Sequence, residues 1–203
     1  MRRLPLVDDS DVVVAAREAM PVIESGGVVL LPTESFYGLG VDPRRAAGVD
    51  RVCVMKGRSP EHGLPVLVAD WQQLEGLVVV PDRFRVKLAR RWPAALTVVL
   101  PAREAMPAAV EGTLAVRIPA HGALRALLYL VGPLTGTSAN LHGQPPGVTV
   151  DEGLQTLTEA PDLALDGGTT AGGKPSTLVD LTGEVPRVVR TGPCGWEDPM
   201  PDR

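Results

Sequence analysis

Two kinds of apolar pattern alternate along the chain. Short continuous runs of Val, Leu and Ala are separated by longer stretches in which apolar residues return every three or four positions. The second pattern appears first, and it predicts a helix capped by Ser10 or Asp11 that runs toward Ile23, is disturbed by Pro21 and stops at Gly26-Gly27. The run "VVLL" that follows reads as a strand covered on both faces. "DPRRAAGVDRVCVMKGR" offers Asp42 as a helix cap with Pro43 in the first helical position, and it ends in a cationic cluster. "LPVLV" predicts a strand, "WQQLEGL" a helix and "PDRFRVKLARRW" a second, basic helix. "ALTVVL" and "TLAVRI" are strands, "HGALRALLYLV" a helix, and "PLTGTSAN" a strand running into a turn. "TVDE" is a capping box ahead of "GLQTL". "LALD", "STLVDL" and "PRVVR" close the chain as strands, with "TGEVP" joining the last two as a hairpin.

Strands therefore alternate with helices in the first half and neighbour one another in the second. The pattern predicts one α/β domain over residues 1–203, built on a mixed sheet. Aromatic residues make up 3% of the 203 positions, so the core must be aliphatic. The 22 glycines and 20 prolines are dispersed, which indicates many short connections. A net charge of −4 argues against a nucleic-acid footprint over the whole surface and leaves room for a local basic groove. Cys53 and Cys194 stand apart with no histidine at ligand spacing, which argues against a structural zinc site and a disulfide framework. The opening "MRRLPLVDDSD" has acids where a signal peptide needs an apolar stretch, and no window is apolar for long enough to span a bilayer. The expected location is the cytoplasm.

Two motifs fail on inspection. "GTTAGGK" has the glycine and lysine spacing of a phosphate-binding loop, but Pro175 stands where the Mg²⁺-binding hydroxyl belongs, and a strand follows in place of a helix. "GTSAN" has Asn140 in place of the second glycine of a nucleophile elbow, and no base and orienting acid accompany Ser138. Lys56 and Arg58 end a helical stretch, where cations complement the helix dipole. Arg117 stands inside an apolar strand and must reach an anion there, on the protein or on a ligand. Ser176, Thr177 and Arg190 fall at the ends of short strands, where open sheets gather ligands.

Taken in order, "PTESFYGLG", "KGRSPEHGLP", "LAVRIPAH", "PLTGTSANLHGQP", "GGKPSTLVDLTG" and "PRVVRTG" resemble the YrdC/TsaC family, the threonylcarbamoyl-AMP synthases of tRNA modification, from about Gly26 to Gly192. The resemblance implies an open fold of a twisted mixed sheet flanked by helices, with a concave basic groove. It implies a reaction of L-threonine, bicarbonate and ATP, with Mg²⁺ accompanying the nucleotide and no metal ligand from protein side chains. The product would pass to partner proteins that modify adenosine 37 of tRNA, with weak binding of tRNA or double-stranded RNA and no membrane partner. Lys56, Arg58, Ser138 and Asn140 match the family's catalytic tetrad. Thr33, Ser35, Tyr37, Arg117, Gly136 and Ser176 would hold threonine, with the glycines of "YGLG" letting the backbone approach it. Lys56, Arg58, His62, Ser138 and Arg190 would hold ATP.

This sequence departs from the family at several points. The proline after Lys-x-Arg is displaced in "RSPEHG", "WPAALT" replaces "WPGPLT", His142 stands where Ser is common, and Ser35 replaces Thr. The second domain of longer members is not expected. Two other readings stand beside this one: a related carbamoyltransferase acting through a carbamoyl-adenylate, and a non-catalytic RNA-binding module using the cations of "DRFRVKLARRW".

Overall fold

The first helix, α1 (Asp9–Glu24), begins earlier than the sequence suggests. Asp8 is its cap, accepting from the Ser10 amide at 2.9 Å, while Asp11 returns the contact from the third helical position. The helix runs through Pro21 to Glu24 and ends where Gly26 takes φ +80°. Its buried stripe, Val12, Ala15, Ala16, Ala19 and Ile23, centres on three alanines, and it packs in one apolar cluster with α5 (Gly122–Val131). The next helix, α2 (Ala46–Lys56), starts later than expected. Asp42 does not cap it: its side chain accepts from the Arg44 amide and its carbonyl from the Arg45 amide, which makes a turn before the helix. Gly57 closes α2 in the left-handed region at φ +57°.

The computed structural model describes residues 1–197. Helices α3 (Trp71–Leu77), α4 (Asp82–Arg91) and α6 (Val150–Gln155) fall where the apolar spacing places them. The strands form two mixed sheets in place of one. In the first sheet β1 (Arg2–Pro5), β9 (Leu163–Asp166), β2 (Val29–Pro32), β3 (Tyr37–Gly40) and β8 (Thr137–Ser138) lie side by side. The second runs β11 (Arg187–Arg190), β10 (Thr177–Asp180), β5 (Leu96–Pro101), β6 (Thr113–Arg117), β4 (Val66–Leu67) and β7 (Leu134–Thr135). Strands β10 and β5 are parallel, and β5 and β6 antiparallel.

The chain passes from one sheet to the other through a single residue, Gly136, which lies between β7 and β8. A Cβ there would sit 2.4 Å from the Leu67 side chain. Thr135, just before it, donates its hydroxyl to the Leu39 carbonyl at 3.0 Å and accepts from the Val41 amide at 3.1 Å, so its side chain bonds to β3 of the other sheet and to the residue that follows β3. The larger aliphatic cluster fills the space between the sheets and α2, α3 and α4. The C-terminal stretch folds back on α4: Trp196 packs edge-on to Phe84, and Arg91 donates to the carbonyls of Gly195 and Trp196. The cations of α4 are thus largely engaged. Arg83 reaches the Gly183 carbonyl, Arg85 pairs with Glu75, and Lys87 lies 4.2 Å above the Trp196 ring. Among the described residues no helix is long and apolar enough to cross a membrane.

Candidate functional site

A cavity of about 340 Å³ opens between the two sheets. The turn after β2 contributes Thr33 and Ser35, and β8 contributes Ser138. The other sheet contributes Thr97, Arg117 and Arg190 from its strands, with Ser176 just before β10. Arg58 and His62 form part of the rim, and Leu64, Leu67, Val99 and Val110 give an apolar wall. The lining holds three arginines and no carboxylate, so the space is built for an anion.

The Thr33 hydroxyl organises the β2–β3 turn. It donates to the Phe36 carbonyl at 2.7 Å and accepts from the amides of Ser35 and Phe36, both at 3.2 Å. The Ser35 hydroxyl lies 3.4 Å from that of Thr33, and the Ser35 carbonyl accepts from the Gly172 amide and the Thr170 hydroxyl, both at 2.8 Å. The failed phosphate-loop motif is therefore a strap pinned against this turn. Across the cavity, the Ser176 hydroxyl is 2.8 Å from that of Thr97 and 3.3 Å from an Arg190 nitrogen.

The arginines are held individually. Arg190 donates two hydrogen bonds to the Ser176 carbonyl, at 3.0 and 2.9 Å. Arg58 donates to the His62 carbonyl at 3.0 Å. Arg117 reaches a protein anion: its Nη1 is 2.6 Å from Oε1 of Glu34. Burial lowers the pKa of all three guanidinium groups, and for Arg190 the positive charges of Arg117 and Arg58 add to the effect. The three cations gather around one cavity, with Arg117 buried, Arg58 half-buried and Arg190 exposed.

The structure divides the matched tetrad. Arg58 and Ser138 line the cavity; Lys56 and Asn140 do not. Lys56, 3% exposed, donates to the carbonyls of Ser138 and Asn140, the latter at 2.8 Å. The Asn140 amide donates to the Leu141 and Gln144 carbonyls at 2.8 and 2.7 Å. Both residues fix the loop that carries Ser138. Burial, reinforced by the charge of Arg58, pulls the Lys56 pKa down to about 8. Tyr37 borders the cavity, but its hydroxyl is engaged behind it, donating to the Gly168 carbonyl at 2.7 Å and accepting from the Gly167 amide at 3.0 Å. Burial raises its pKa to about 12. Nor does Gly40 make room for a ligand, since a Cβ there would lie 2.6 Å from the Leu31 side chain.

Two participants escape the sequence reading. Thr97 shows only as one hydroxyl in an apolar strand, and Glu34 as the middle of "TES" with no role attached. Among the described residues no group of three His, Cys, Asp or Glu side chains is placed to hold a metal ion. The cavity lining likewise offers no carboxylate for Mg²⁺.

Residues 21–192 match the Sua5/yciO/yrdC family, described as "Telomere recombination". The chain is 37% identical to the threonylcarbamoyl-AMP synthase of Pseudomonas aeruginosa over 177 residues, 85% of this chain and 96% of that one. It is 35% identical to the threonylcarbamoyl-AMP synthase of Pyrococcus abyssi over 187 residues, 90% of this chain and 55% of that one. Among solved structures, P. abyssi Sua5 complexed with L-threonine superposes with a TM-score of 0.80 at 32% identity, covering 93% of this chain and 56% of that one. Escherichia coli YciO gives 0.79 at 25% identity, covering 97% and 96%.

Proposed function

Because this chain belongs to the Sua5/yciO/yrdC family, we propose that it is a threonylcarbamoyl-AMP synthase, a nucleotidyltransferase that makes threonylcarbamoyl-AMP and pyrophosphate from L-threonine, bicarbonate and ATP. The observation that carries this reading is the cavity with three guanidinium groups, facing hydroxyls and no lining acid. Threonine and bicarbonate combine to a carbamate, releasing water and a proton. A carbamate oxygen then attacks the α-phosphorus of ATP, and pyrophosphate leaves with the electron pair of the broken P–O bond. The attacking group is already an anion, so no protein nucleophile is needed. What the reaction needs is orientation, and positive charge at the phosphorus and on the leaving group. Arg58 and Arg190, with the Ser138 hydroxyl, are suited to the phosphates. Arg117, with Ser35 and Ser176, is suited to the amino acid and its carboxylate.

Mg²⁺ would arrive with the nucleotide, held by phosphate oxygens and water, because the cavity lining supplies no carboxylate to it. Residues 1–203 would act as one domain in the cytoplasm, passing the adenylate to proteins that modify tRNA. The deciding assay is pyrophosphate release with threonine and bicarbonate omitted in turn. Release that requires both supports the reading. Release driven by carbamoyl phosphate alone moves the chain to the carbamoyltransferases, and salt-dependent tRNA binding without turnover makes it an RNA-binding module.

A further inference from the structure

Glu34 does not line the cavity, yet it is the residue that holds Arg117. Both side chains are largely buried, at 14% and 6% exposed, and they meet at one point, Oε1 on Nη1 at 2.6 Å. Opposed squarely, a carboxylate and a guanidinium share two parallel hydrogen bonds. Here they share one, and the remaining atoms show the offset: Glu34 Oε2 and Arg117 Nε are both buried without a hydrogen-bond partner. The contact therefore grips the guanidinium by one edge from outside the cavity, while Arg117 itself remains in the lining.

Position and charge point the same way. Glu34 lies between Thr33 and Ser35, both in the lining, so the turn that supplies those hydroxyls also supplies the carboxylate behind Arg117. The pairing joins a turn of the first sheet to β6 of the second, 83 residues apart in sequence. It also places a negative charge beside one of three clustered cations. Among the described residues, Arg58 and Arg190 have carbonyls and a hydroxyl as hydrogen-bond partners. Among the described residues Glu34 is the carboxylate paired with Arg117, so without it the buried guanidinium would lose that counter-ion.

We propose that Glu34 is the positioning residue of Arg117: it fixes the guanidinium so that its free edge meets the carboxylate of an amino-acid substrate, and it never touches that substrate. The proposal rests on the synthase reading. Arg117 is shared between an internal carboxylate behind it and a substrate carboxylate in front. The internal one sets the angle, and the unsaturated single contact leaves donors over for the second.

The test is a double-mutant cycle on the intact protein, Glu34→Gln, Arg117→Ala and the two combined, read as kcat and KM for L-threonine and for ATP by pyrophosphate release. Glu34→Gln keeps the shape and removes the charge. It should raise the KM for L-threonine by roughly tenfold or more, the scale expected when a clamped group is displaced by a fraction of an ångström, with the KM for ATP little changed. In the Arg117→Ala background the same substitution should have no further effect on threonine. Glu34→Asp keeps the charge on a shorter arm and should recover part of the loss; it also serves if Glu34→Gln does not fold. Losses that add in the double variant, or a KM for ATP that rises as much as that for threonine, overturn the positioning role while leaving the synthase reading standing. A wild-type protein with no threonine-dependent turnover overturns both.

Discussion

The ammonium of Lys56 lies 2.8 Å from the backbone carbonyl of Asn140, 84 residues further along the chain, and it bonds to the Ser138 carbonyl as well. Three residues that a sequence motif groups as one catalytic set are thus related as clamp and clamped. The lysine is buried under the loop, and Ser138 is the member presented to the cavity.

Lys56→Ala should therefore cost stability as well as activity. Two buried carbonyls would lose their donor, worth about 1–3 kcal/mol, and kcat/KM should fall by roughly 10²-fold as the Ser138 loop shifts. Thermal melts beside pyrophosphate release check this. An inactive variant that melts like the wild type would show instead that the ammonium acts on substrate directly.

The depressed pKa of Lys56 has a sign that can be measured. In the unfolded chain the amine holds its proton up to about 10.5; in the folded protein it releases it near 8. Between these values the unfolded state binds more protons, so stability should rise with pH through this window and lack that contribution below about 8. Tyr37, raised to about 12, works in the opposite direction above pH 10. Urea midpoints at pH 7.5 and 9.5, compared between the wild type and Lys56→Met, isolate the lysine. Equal slopes in the two proteins would refute the assignment.

Arg117→Ala should raise the KM for threonine far more than that for ATP, by about 10²-fold for loss of a charge-assisted carboxylate pair. Arg117→Lys should restore little, since an ammonium cannot face Glu34 and a ligand along two edges of one plane. Calorimetric titration of threonine separates this from a folding defect. Unchanged threonine affinity would remove Arg117 from the amino-acid site.

His62 borders the cavity, but it meets Arg58 through its backbone carbonyl, which accepts from the guanidinium. His62→Ala keeps that carbonyl. Any loss should thus come from the imidazole alone and appear in the KM for ATP, at up to about tenfold. A variant with wild-type KM values for both substrates would make the ring a bystander.

Ser35 lines the cavity, 7% exposed, beside the hydroxyl of Thr33. A methyl contact in a pocket is worth about 1–3 kcal/mol, and Ser35 offers no methyl. L-serine should therefore be activated measurably, though more slowly than L-threonine, and Ser35→Thr should sharpen the preference for threonine. The ratio of kcat/KM for the two amino acids in both proteins decides; an unchanged ratio places Ser35 away from the substrate side chain.

Much of the fold can be read from apolar spacing, because α1, β2, β5 and α5 bury whole stripes or runs. The elements that escape are those that break the pattern for a reason. β1 is "RRLP", an edge strand held by pairing with β9, with no apolar alternation to announce it. β3 carries glycines at positions 38 and 40 that a propensity argument assigns to a loop. In the structure their missing side chains admit the neighbouring strand and Leu31. Neither cap falls where the sequence places it: Asp8 opens α1 ahead of Ser10 and Asp11, and Asp42 uses its side chain on a turn before α2. In the site, residue type shows which groups are present; whether a cation faces a ligand or a carbonyl depends on contacts more than 80 residues apart.

The crossing at Gly136 bears on how the cavity can work. A residue spans at most about 3.6 Å, so a chain that leaves one sheet and joins the other across one residue has no slack there. The width of the cleft at that point is a fixed gauge. The cavity residues of the two sheets, Thr33, Ser35 and Ser138 on one side and Thr97, Arg117 and Arg190 on the other, are tethered to one another at that crossing. Beside Gly136, which itself lines the cavity, the two walls are therefore joined by backbone and cannot part there without breaking the pairing of β7 or β8.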